Sequence, residues 1–466
     1  MRPFILTPLI VACALFMENL DSTIIATSLP AIAADLHQDP IALKLAMTSY
    51  MLAQAVFIPA SGWVADRYGA RKIFRAAIVV FTLGSILCGL SSTMPEFIAA
   101  RIFQGCGGAM MVPVGRLVLL RSVERSEIVR ALAYLTIPAL IGPILGPPLG
   151  GFISTYLHWR WNFWINVPIG LIGVGLVTAY IPELREEDVA PFDAKGFVLS
   201  GLGLSSLIFG LTVLGRGFLP LGLNFGLILF GAAMVAAYVR HALADETPIL
   251  DLRLLRLRTF WASLVGGYLF RIGVGATPFL LPLLLQLGFG MTPFQSGLTT
   301  FVATAGALLM KATAAFVLKR YGFRRVLIVN ALLSSAFLAI NGAFQATTPQ
   351  ALLLAFLFVG GFFRSLQFTA LNALAYAEVD SHAMSRATSL SAVAQQLSMS
   401  SGVAIGAACL ETMRHLSGKE LTGADFLPAF LTVAVLSASS VLIFWRLKPE
   451  DGASLAGRAA NSREIA

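Results

Sequence analysis

The sequence is poor in charged residues, in histidine and in cysteine. Asp, Glu, Lys and Arg make up 12% of its 466 residues, whereas 57% are hydrophobic. A soluble globular domain is nearer 25% charged, so this composition excludes a soluble globule. The five histidines fall near the ends of apolar segments and the four cysteines lack metal-site spacing. No phosphate-binding glycine-rich loop with lysine occurs either. We therefore expect no enzyme activity, no cofactor, no metal and no direct use of ATP.

Apolar runs of about 20 residues, long enough to cross a bilayer, recur almost without interruption. They predict an all-α polytopic membrane protein with fourteen transmembrane helices, near 5–34, 41–64, 73–92, 96–120, 131–157, 162–181, 194–215, 220–243, 259–287, 293–317, 326–346, 350–376, 386–412 and 425–447. Ala12-Cys13-Ala14 resembles a signal-peptide cleavage site, but the first run continues to Ala33. We expect it to stay uncleaved.

Lysine and arginine are concentrated in alternate loops. The loop after the second run holds Arg67, Arg71 and Lys72, and the loop after the tenth holds Arg320 and Arg324. Basic loops face the cytoplasm, so both termini are predicted to be cytoplasmic. The formal net charge of +9 is scattered over short loops, which predicts a lipid bilayer and no nucleic acid as the partner.

An internal repeat organises the chain. The loop segments Gly62–Lys72 and Ala315–Arg325 share an Arg-Tyr-Gly-x-Arg pattern. Parallel repeats are a transporter architecture with a substrate site near the midplane. The second copy falls two helices later than a six-helix repeat requires. We predict an N-terminal six-helix bundle over 1–181, an acidic loop with two extra helices and a basic loop over 182–258, a C-terminal six-helix bundle over 259–447, and a disordered cytoplasmic tail over 448–466.

Two carboxylates interrupt the first apolar run. Glu18 and Asp21 are three residues apart and share one helix face. A charge at the bilayer centre costs roughly 2.5–3.5 kcal/mol on insertion scales, so these acids need a function or a partner. One reading is a proton-binding site and the other is a structural ion pair between helices. Arg101 is predicted at a matching depth in the fourth run, as the partner that stabilises the charged form of Asp21.

Several segments resemble the major facilitator superfamily, in particular its fourteen-span drug:proton antiporter branch (the EmrB/QacA type). The resembling segments are Leu20–Pro30 in the first helix, Gly62–Lys72 in the loop, Arg101–Ala109 in the fourth helix, Gly142–Gly151 in the fifth and Trp159–Gly170 at the start of the sixth. Within the branch, Phe16–Asp21 and Arg271–Gly275 are similar to MdtD-type multidrug exporters. The resemblance implies two six-helix bundles plus two inserted helices.

The resemblance also implies roles for individual residues. Proton coupling falls to Glu18, Asp21 and Arg101. Gating of the cytoplasmic side falls to Gly62, Asp66, Arg67, Gly69 and Arg71, although Asp66 and the basic residues could serve only to fix topology. The antiporter motif comprises Gly142, Pro143, Gly146, Pro147, Gly150 and Gly151, whose glycines also suit plain helix packing. In the second loop copy Lys319 stands at the position of Asp66, so a gating role for that copy is in doubt.

The second half contributes cations at membrane depth. The candidates for the substrate cavity are Gln54, Gln104, Arg271, Lys311, Arg364, Gln367 and Asn372. Membrane arginines generally face the protein interior or a cavity, so Arg271 and Arg364 would favour an anionic or zwitterionic substrate. Pairing with backbone carbonyls, or snorkelling in the case of Lys311, is the structural alternative.

We therefore expect a proton-coupled antiporter of the bacterial inner membrane that exports small amphipathic compounds, as in multidrug efflux and drug resistance. The proton gradient is its expected energy source. Two alternatives remain open: an exporter of small organic anions or metal chelates using Arg271 and Arg364, and a proton-coupled nutrient symporter. An outer-membrane or periplasmic adaptor is a partner that the sequence does not identify.

Overall fold

The computed structural model describes residues 3–122, 128–183, 189, 191–213, 220–380, 383–418 and 421–452, except for the side chains of 3–5, 128–130, 132–133 and 136–140. Every regular element in these ranges is helical. The long helices are α1 (Pro3–Asp35), α2 (Lys44–Tyr68), α3 (Ala70–Leu90), α4 (Met94–Ser122), α5 (Ile128–Tyr156), α6 (Trp161–Tyr180), α7 (Ala194–Val213), α8 (Leu221–Ala244), α9 (Arg258–Gly288), α10 (Pro293–Tyr321), α11 (Phe323–Asn341), α12 (Gln350–Ala375), α13 (Met384–Ser417) and α14 (Gly423–Phe444).

Twelve of these helices are long and apolar enough to cross a membrane. The other two, α2 and α5, occupy the remaining predicted segments and have 25 and 29 residues. Polar residues such as Gln54 make α2 less apolar than its neighbours. The structure thus gives an all-helical protein with twelve candidate spans, and the count of fourteen stays a prediction.

The chain forms two compact units. The first comprises Met1–Leu250 together with Met291–Leu298, and the second comprises Asp251–Gly290 together with Thr299–Ala466. The two helices predicted to be inserted, α7 and α8, belong to the first unit. The predicted boundaries at 181 and 258 stay a prediction.

In the first unit, α1 packs along α5, and α4 packs against both α2 and α3. Fully buried apolar side chains, among them Phe74, Phe81 and Val118, fill the space between these helices. The inserted pair packs on itself and reaches the bundle through α2, where the Trp63 and Phe192 rings lie 4.7 Å apart. This packing brings α1, α2, α3, α4 and α6 around one buried point.

In the second unit, α9 packs against α13 and α14, and α11 packs against α12 and α14. Its core contains Phe323, Leu327 and Leu371, each almost fully buried. Helix α9 is irregular, since Ala262–Gly266 and Leu284–Gly288 are π-helical. Wide turns of this kind are rare and often lie at functional sites.

Both copies of the repeated loop make the same turn. Gly69 and Gly322 have φ angles of 100° and 77°, in the region that favours glycine. Two residues later, Arg71 donates to the backbone oxygen of Thr178 near the end of α6. The matching Arg324 donates to the backbone oxygen of Trp445 after α14, at 3.3 Å. The sequence repeat is therefore also a repeat of backbone conformation and of one specific contact.

Candidate functional site

A buried ion pair lies at the centre of the first unit. Arg101 Nη1 donates to Asp21 Oδ2 at 2.6 Å, and both side chains are at most 1% exposed. The guanidinium also lies over the Tyr50 ring, 4.1 Å from its centroid, and its Nε donates to the Ala46 carbonyl at 3.4 Å. Helices α1, α2 and α4 together fix this pair. Burying two charges is costly unless they pair with good geometry, which this site provides.

Neutral polar groups complete the bonding of Asp21. Gln104 Nε2 donates to Asp21 Oδ1 at 2.8 Å and Asn166 Nδ2 donates to the same oxygen at 3.1 Å. Both amides also donate to Ser85 Oγ, at 2.8 and 3.2 Å, and Gln104 Oε1 accepts from Arg101 Nη1. We call Asp21, Ser85, Arg101, Gln104 and Asn166 the acid network. It joins α1, α3, α4 and α6, and the three hydrogen bonds that Asp21 accepts would change if its carboxylate took up a proton.

Glu18 lies one turn away from Asp21 and has a separate partner. Gln54 Nε2 donates to Glu18 Oε1 at 2.8 Å and contacts the Tyr50 hydroxyl at 3.1 Å. Glu18 is 8% exposed. No cation lies within ion-pair distance of Glu18 among the residues that the structure describes. Tyr50 therefore connects the two carboxylates, because its ring supports Arg101 and its hydroxyl lies beside Gln54.

Glycines of α3 and α4 let the helices approach closely enough to build this site. A Cβ at Gly84 would lie 2.6 Å from the Gln104 Cα. A Cβ at Gly108 would lie 2.8 Å from the Tyr50 hydroxyl and 2.9 Å from Gln54 Nε2. Real Cβ atoms do not approach other atoms so closely, so these positions need glycine for the neighbouring polar groups to meet.

The glycines of the antiporter motif face the acid-bearing helix. A Cβ at Gly142 would lie 2.9 Å from the Phe16 carbonyl oxygen, one at Gly146 2.0 Å from Thr23 Oγ1 and one at Gly150 2.4 Å from the Ile24 carbonyl oxygen. Gly151 points to a different neighbour, since its Cβ would lie 2.3 Å from the Pro293 carbonyl oxygen. Pro143 is half-buried, and the Pro147 carbonyl accepts from Thr27 Oγ1 at 3.3 Å. Three of the four glycines of the motif thus form the contact surface between α5 and α1.

The predicted gating residues lie at the end of the first unit that carries the repeated loop. Asp66 Oδ1 accepts from Arg121 Nη2 at 2.9 Å, which ties the end of α2 to the end of α4. Arg67 is exposed, whereas Arg71 contacts Thr178 as described above. A Cβ added at Gly62 would have no neighbouring atom within 4 Å, so nothing in the described structure requires glycine there.

In the second unit, Arg271 is buried and Arg364 is half-buried. Arg271 is 4% exposed, donates from Nη2 to Asn372 Oδ1 at 3.0 Å and lies 5.4 Å from the Phe368 ring centroid. Asn372 is itself exposed, and so is Lys311. Neither Arg271 nor Arg364 pairs with a carboxylate in the described part of the chain. In the first unit, by contrast, the buried Arg101 pairs with the carboxylate of Asp21.

Gln367 is fully buried between α11 and α12. Its Nε2 donates to the Leu327 carbonyl at 3.1 Å, and its Oε1 accepts from Asn330 Nδ2 at 3.1 Å. Both ends of the side chain are thus used in packing the two helices together.

Arg364 lines a cavity of about 40 Å³ inside the second unit. Ser334, Asn341 and several phenylalanines of α9, α11 and α12 form its other walls. The Ser334 hydroxyl is buried and without a partner in the described residues.

Another cavity, of about 340 Å³, lies in the first unit between α2, α4, α7 and α8. Most of its lining residues are apolar, and the hydroxyls of Thr48 and Thr212 bond to carbonyls of their own helices.

At one end of the inserted helices, Asp193, His241 and Asp245 place three possible metal-ligand atoms within 4.8 Å of one another. Asp193 already accepts hydrogen bonds from the Gly196 amide at 2.7 Å, from the Ile249 amide at 3.0 Å and from His241 at 2.7 Å. Burial acts to raise the pKa of the Asp193 carboxyl, but these hydrogen bonds outweigh it and hold the pKa below its usual value. This arrangement caps α7 and joins it to α8.

Three residues of the site were not singled out from the sequence: Tyr50, Ser85 and Asn166. Each is neutral, and each comes from a different helix, so no spacing along the chain connects them with Asp21. Asn166 lies in the Trp159–Gly170 segment that carries the family resemblance, which is the one signal that could have found it.

Comparison with known proteins places the chain in a family. The family model described as Major Facilitator Superfamily matches residues 11–270 and 263–463. The chain is 39% identical over 450 residues to the "Putative multidrug resistance protein MdtD" of Yersinia pestis (strain Pestoides F), covering 96% of each protein. The protein of that name from Yersinia pseudotuberculosis serotype O:1b (strain IP 31758) matches to the same extent.

Solved structures share the fold at low sequence identity. A POT family transporter complexed with a thioalcohol-conjugated peptide has a TM-score of 0.70 at 16% identity, covering 95% of this chain and 94% of that one. A D-xylose-proton symporter has a TM-score of 0.66 at 16% identity, covering 95% and 98%. The nucleoside transporter NupG has a TM-score of 0.64 at 14% identity, covering 96% and 100%. At these identities the similarity concerns the fold alone.

Proposed function

The chain belongs to the major facilitator superfamily, and from this premise we propose that it is a proton-coupled antiporter exporting small amphipathic compounds. The name of its relatives, which refers to multidrug resistance, supports this substrate class. The acid network carries the proposal. It places a carboxylate in a buried site where gain of a proton would remove the negative charge that pairs with Arg101 and turn one accepting carboxylate oxygen into a donor.

In this proposal Asp21 binds and releases the proton, and Arg101 controls it. With Asp21 charged, the ion pair holds α1 to α4. With Asp21 neutral, the Arg101 charge loses its partner in a buried site, which is unfavourable unless a helix moves or a substrate charge replaces it. Proton uptake is thereby linked to a change of conformation, as alternating access of two six-helix bundles requires. Glu18 is the second candidate proton site.

The remaining parts of the proposal rest on the features of the amino-acid sequence. The protein would span the bacterial inner membrane fourteen times with both termini in the cytoplasm, and the proton gradient would supply the energy. The Asp66–Arg121 pair would stabilise one of the alternating states at the cytoplasmic side. The cations of the second unit favour a second candidate, an exporter of small organic anions or metal chelates that would bind at Arg271 and Arg364.

The test is proton release from acidified everted vesicles that contain the full-length protein. Lipophilic cations, small carboxylates and metal chelates are added separately, with empty-vector vesicles and an Asp21→Asn variant alongside. Release that depends on Asp21 with cations supports the multidrug antiporter. Release with carboxylates or metal chelates alone supports the anion exporter, and release with neither contradicts proton-coupled export.

A further inference from the structure

The chain that follows the last helix forms an ordered turn on the second unit. The Asp451 amide donates to the Lys448 carbonyl at 3.2 Å, and the Lys448 amide donates back to Asp451 Oδ2 at 2.8 Å. The Asp451 side chain is 3% exposed. Acidic side chains are almost never so buried without a specific partner. The disordered tail expected over 448–466 stays a prediction, and within it the structure describes a turn at Lys448–Gly452.

The partner of Asp451 is the first residue of α9. Arg258 Nε donates to Asp451 Oδ2 at 2.9 Å, and Nη2 donates to Asp451 Oδ1. A bidentate pair of this kind fixes the orientation of both groups as well as their distance. The start of α9 is therefore tied to the segment that follows α14.

The same turn rests on the second copy of the repeated loop. Gly452 has a φ of 75°, and a Cβ there would lie 2.7 Å from the Phe323 ring and 3.0 Å from Leu374. Phe323 directly follows Gly322, the turn glycine of that loop. One short segment thus contacts both the start of α9 and the loop between α10 and α11.

A second carboxylate bonds to the start of α9, and a third precedes that helix in the chain. Glu378, which follows α12, accepts from the Thr259 amide at 3.1 Å and from the Thr259 hydroxyl at 2.9 Å. Asp251 accepts from Arg386 in the first turn of α13 at 3.0 Å. This end of the second unit is therefore held by acids from outside the repeated loop. The loop itself has Lys319 at the position that Asp66 occupies in the first copy.

We propose that Asp451 supplies the gating carboxylate that the second loop copy lacks. The Asp451–Arg258 pair, together with the packing of Gly452 on Phe323, holds this end of the second unit closed in one state of transport and separates in the other. The pair does for the second unit what Asp66 and Arg121 are proposed to do for the first. Asp451 is a positioning residue, and the inference rests on the proposed transport function.

The chain offers a matched control one residue away. Glu450 carries the same charge, is 61% exposed and lies 4.0 Å from the equally exposed Lys448. Asp451→Asn and Glu450→Gln therefore make the same change of net charge, but only the first breaks the pair between the half-exposed Arg258 and the buried Asp451. A charge-reversed double variant, Arg258→Asp with Asp451→Arg, restores a pair of opposite charges at the same place.

The first readout is hydrogen–deuterium exchange of the purified full-length protein, at the amides of 258–262 and 323–327. Asp451→Asn is expected to raise exchange at both segments at least threefold over the wild type. Glu450→Gln should match the wild type, and the double variant should return most of the way to it. Equal exchange in the two single variants, or no recovery in a double variant that melts like the wild type, would overturn the proposal.

The second readout is transport in vesicles, which separates this inference from the proposed function. Asp451→Asn is expected to lower the maximal rate about three- to tenfold at unchanged KM, because the substrate site is intact. An unchanged maximal rate contradicts the gating role. If the wild-type protein releases no protons with any compound, the proposed antiport fails, and the exchange measurement still decides whether the Asp451 contact closes this end of the unit.

Discussion

The two units of the molecule share a backbone design and differ in their buried charges. Both place a glycine with positive φ in the repeated loop, followed by an arginine that bonds to a carbonyl near the end of the sixth helix of its half. Both bring their first and fifth helices together through glycine, at Gly150 on α5 and at Gly402 on α13. These shared features are what a duplicated scaffold needs.

The charges inside the units are not duplicated. The first unit buries Asp21 with Arg101 and adds Glu18 nearby, whereas the second buries Arg271 with an amide as its hydrogen-bond partner. A carboxylate can change its charge by taking up a proton, but an arginine stays charged at any physiological pH. The comparison teaches that the backbone design is shared while the charges within the helices differ, since Arg101 has a carboxylate partner and Arg271 has none among the described residues.

The largest expected effect comes from removing the acid of the first unit. Asp21→Asn should abolish substrate-dependent proton release and lower stability by about 3–5 kcal/mol, because Arg101 stays buried without a counter-charge. Melting of the purified protein measures the second effect. The double variant Asp21→Asn with Arg101→Leu should recover most of the stability and none of the coupling. Proton release at the wild-type rate by either variant would contradict the assignment of proton coupling to Asp21 in the first unit.

The shared glycine contacts predict equal effects in both units. Gly150→Ala and Gly402→Ala each place a Cβ against a backbone oxygen, at 2.4 Å from Ile24 and 2.1 Å from Ile272. Each should cost about 1–3 kcal/mol from overpacking. Gly226→Ala on α8 is the control, because no atom lies within 4 Å of its built Cβ. Melting temperatures that fall for only one of the two would show that the scaffold is less symmetric than the contacts indicate.

Removing the cation of the second unit should have a smaller effect on stability than removing that of the first. Arg271→Leu leaves one exposed amide, that of Asn372, without its partner and also removes a buried Nε that bonds to nothing in the described residues. We expect a change of at most about 1 kcal/mol, against about 3–5 for Arg101→Leu, which strands Asp21. Melting of the two variants side by side checks this. Equal losses would mean that Arg271 has a carboxylate partner in the folded protein.

The smallest effect on stability is expected at the surface pair of the first unit. Asp66 and Arg121 are 32% and 25% exposed, so Asp66→Asn should cost roughly 0.2–1 kcal/mol. Its effect on the export rate should be larger, a severalfold decrease, if the pair stabilises one transport state. Lys72→Gln in the same loop is exposed and serves as the control. A rate equal to the wild type would leave Asp66 with a topological role.

Apolar length made most of the fold predictable, because a bilayer leaves helices as the simplest way to satisfy the backbone. Asp21 and Arg101 could be matched by depth because charges in apolar runs are rare. Tyr50, Ser85 and Asn166 could not, since neutral polar residues are common on all helices and their convergence depends on tertiary packing. The polarity of Gln367 predicts a cavity residue, which stays a prediction, whereas its hydrogen bonds to Leu327 and Asn330 depend on tertiary packing that the sequence does not indicate.

The π-helical turns of α9 bear on how the length of that helix can vary. A π-turn accommodates one residue more than an α-turn, and one residue corresponds to about 100° of rotation in a regular helix. Deleting a single residue within Ala262–Gly266 would convert this stretch into ordinary helix and leave Arg271 facing Asn372. The same deletion in a regular stretch would turn every later side chain onto another face. Helix α9 can thus lose one residue at this π-helical turn without changing where its arginine points.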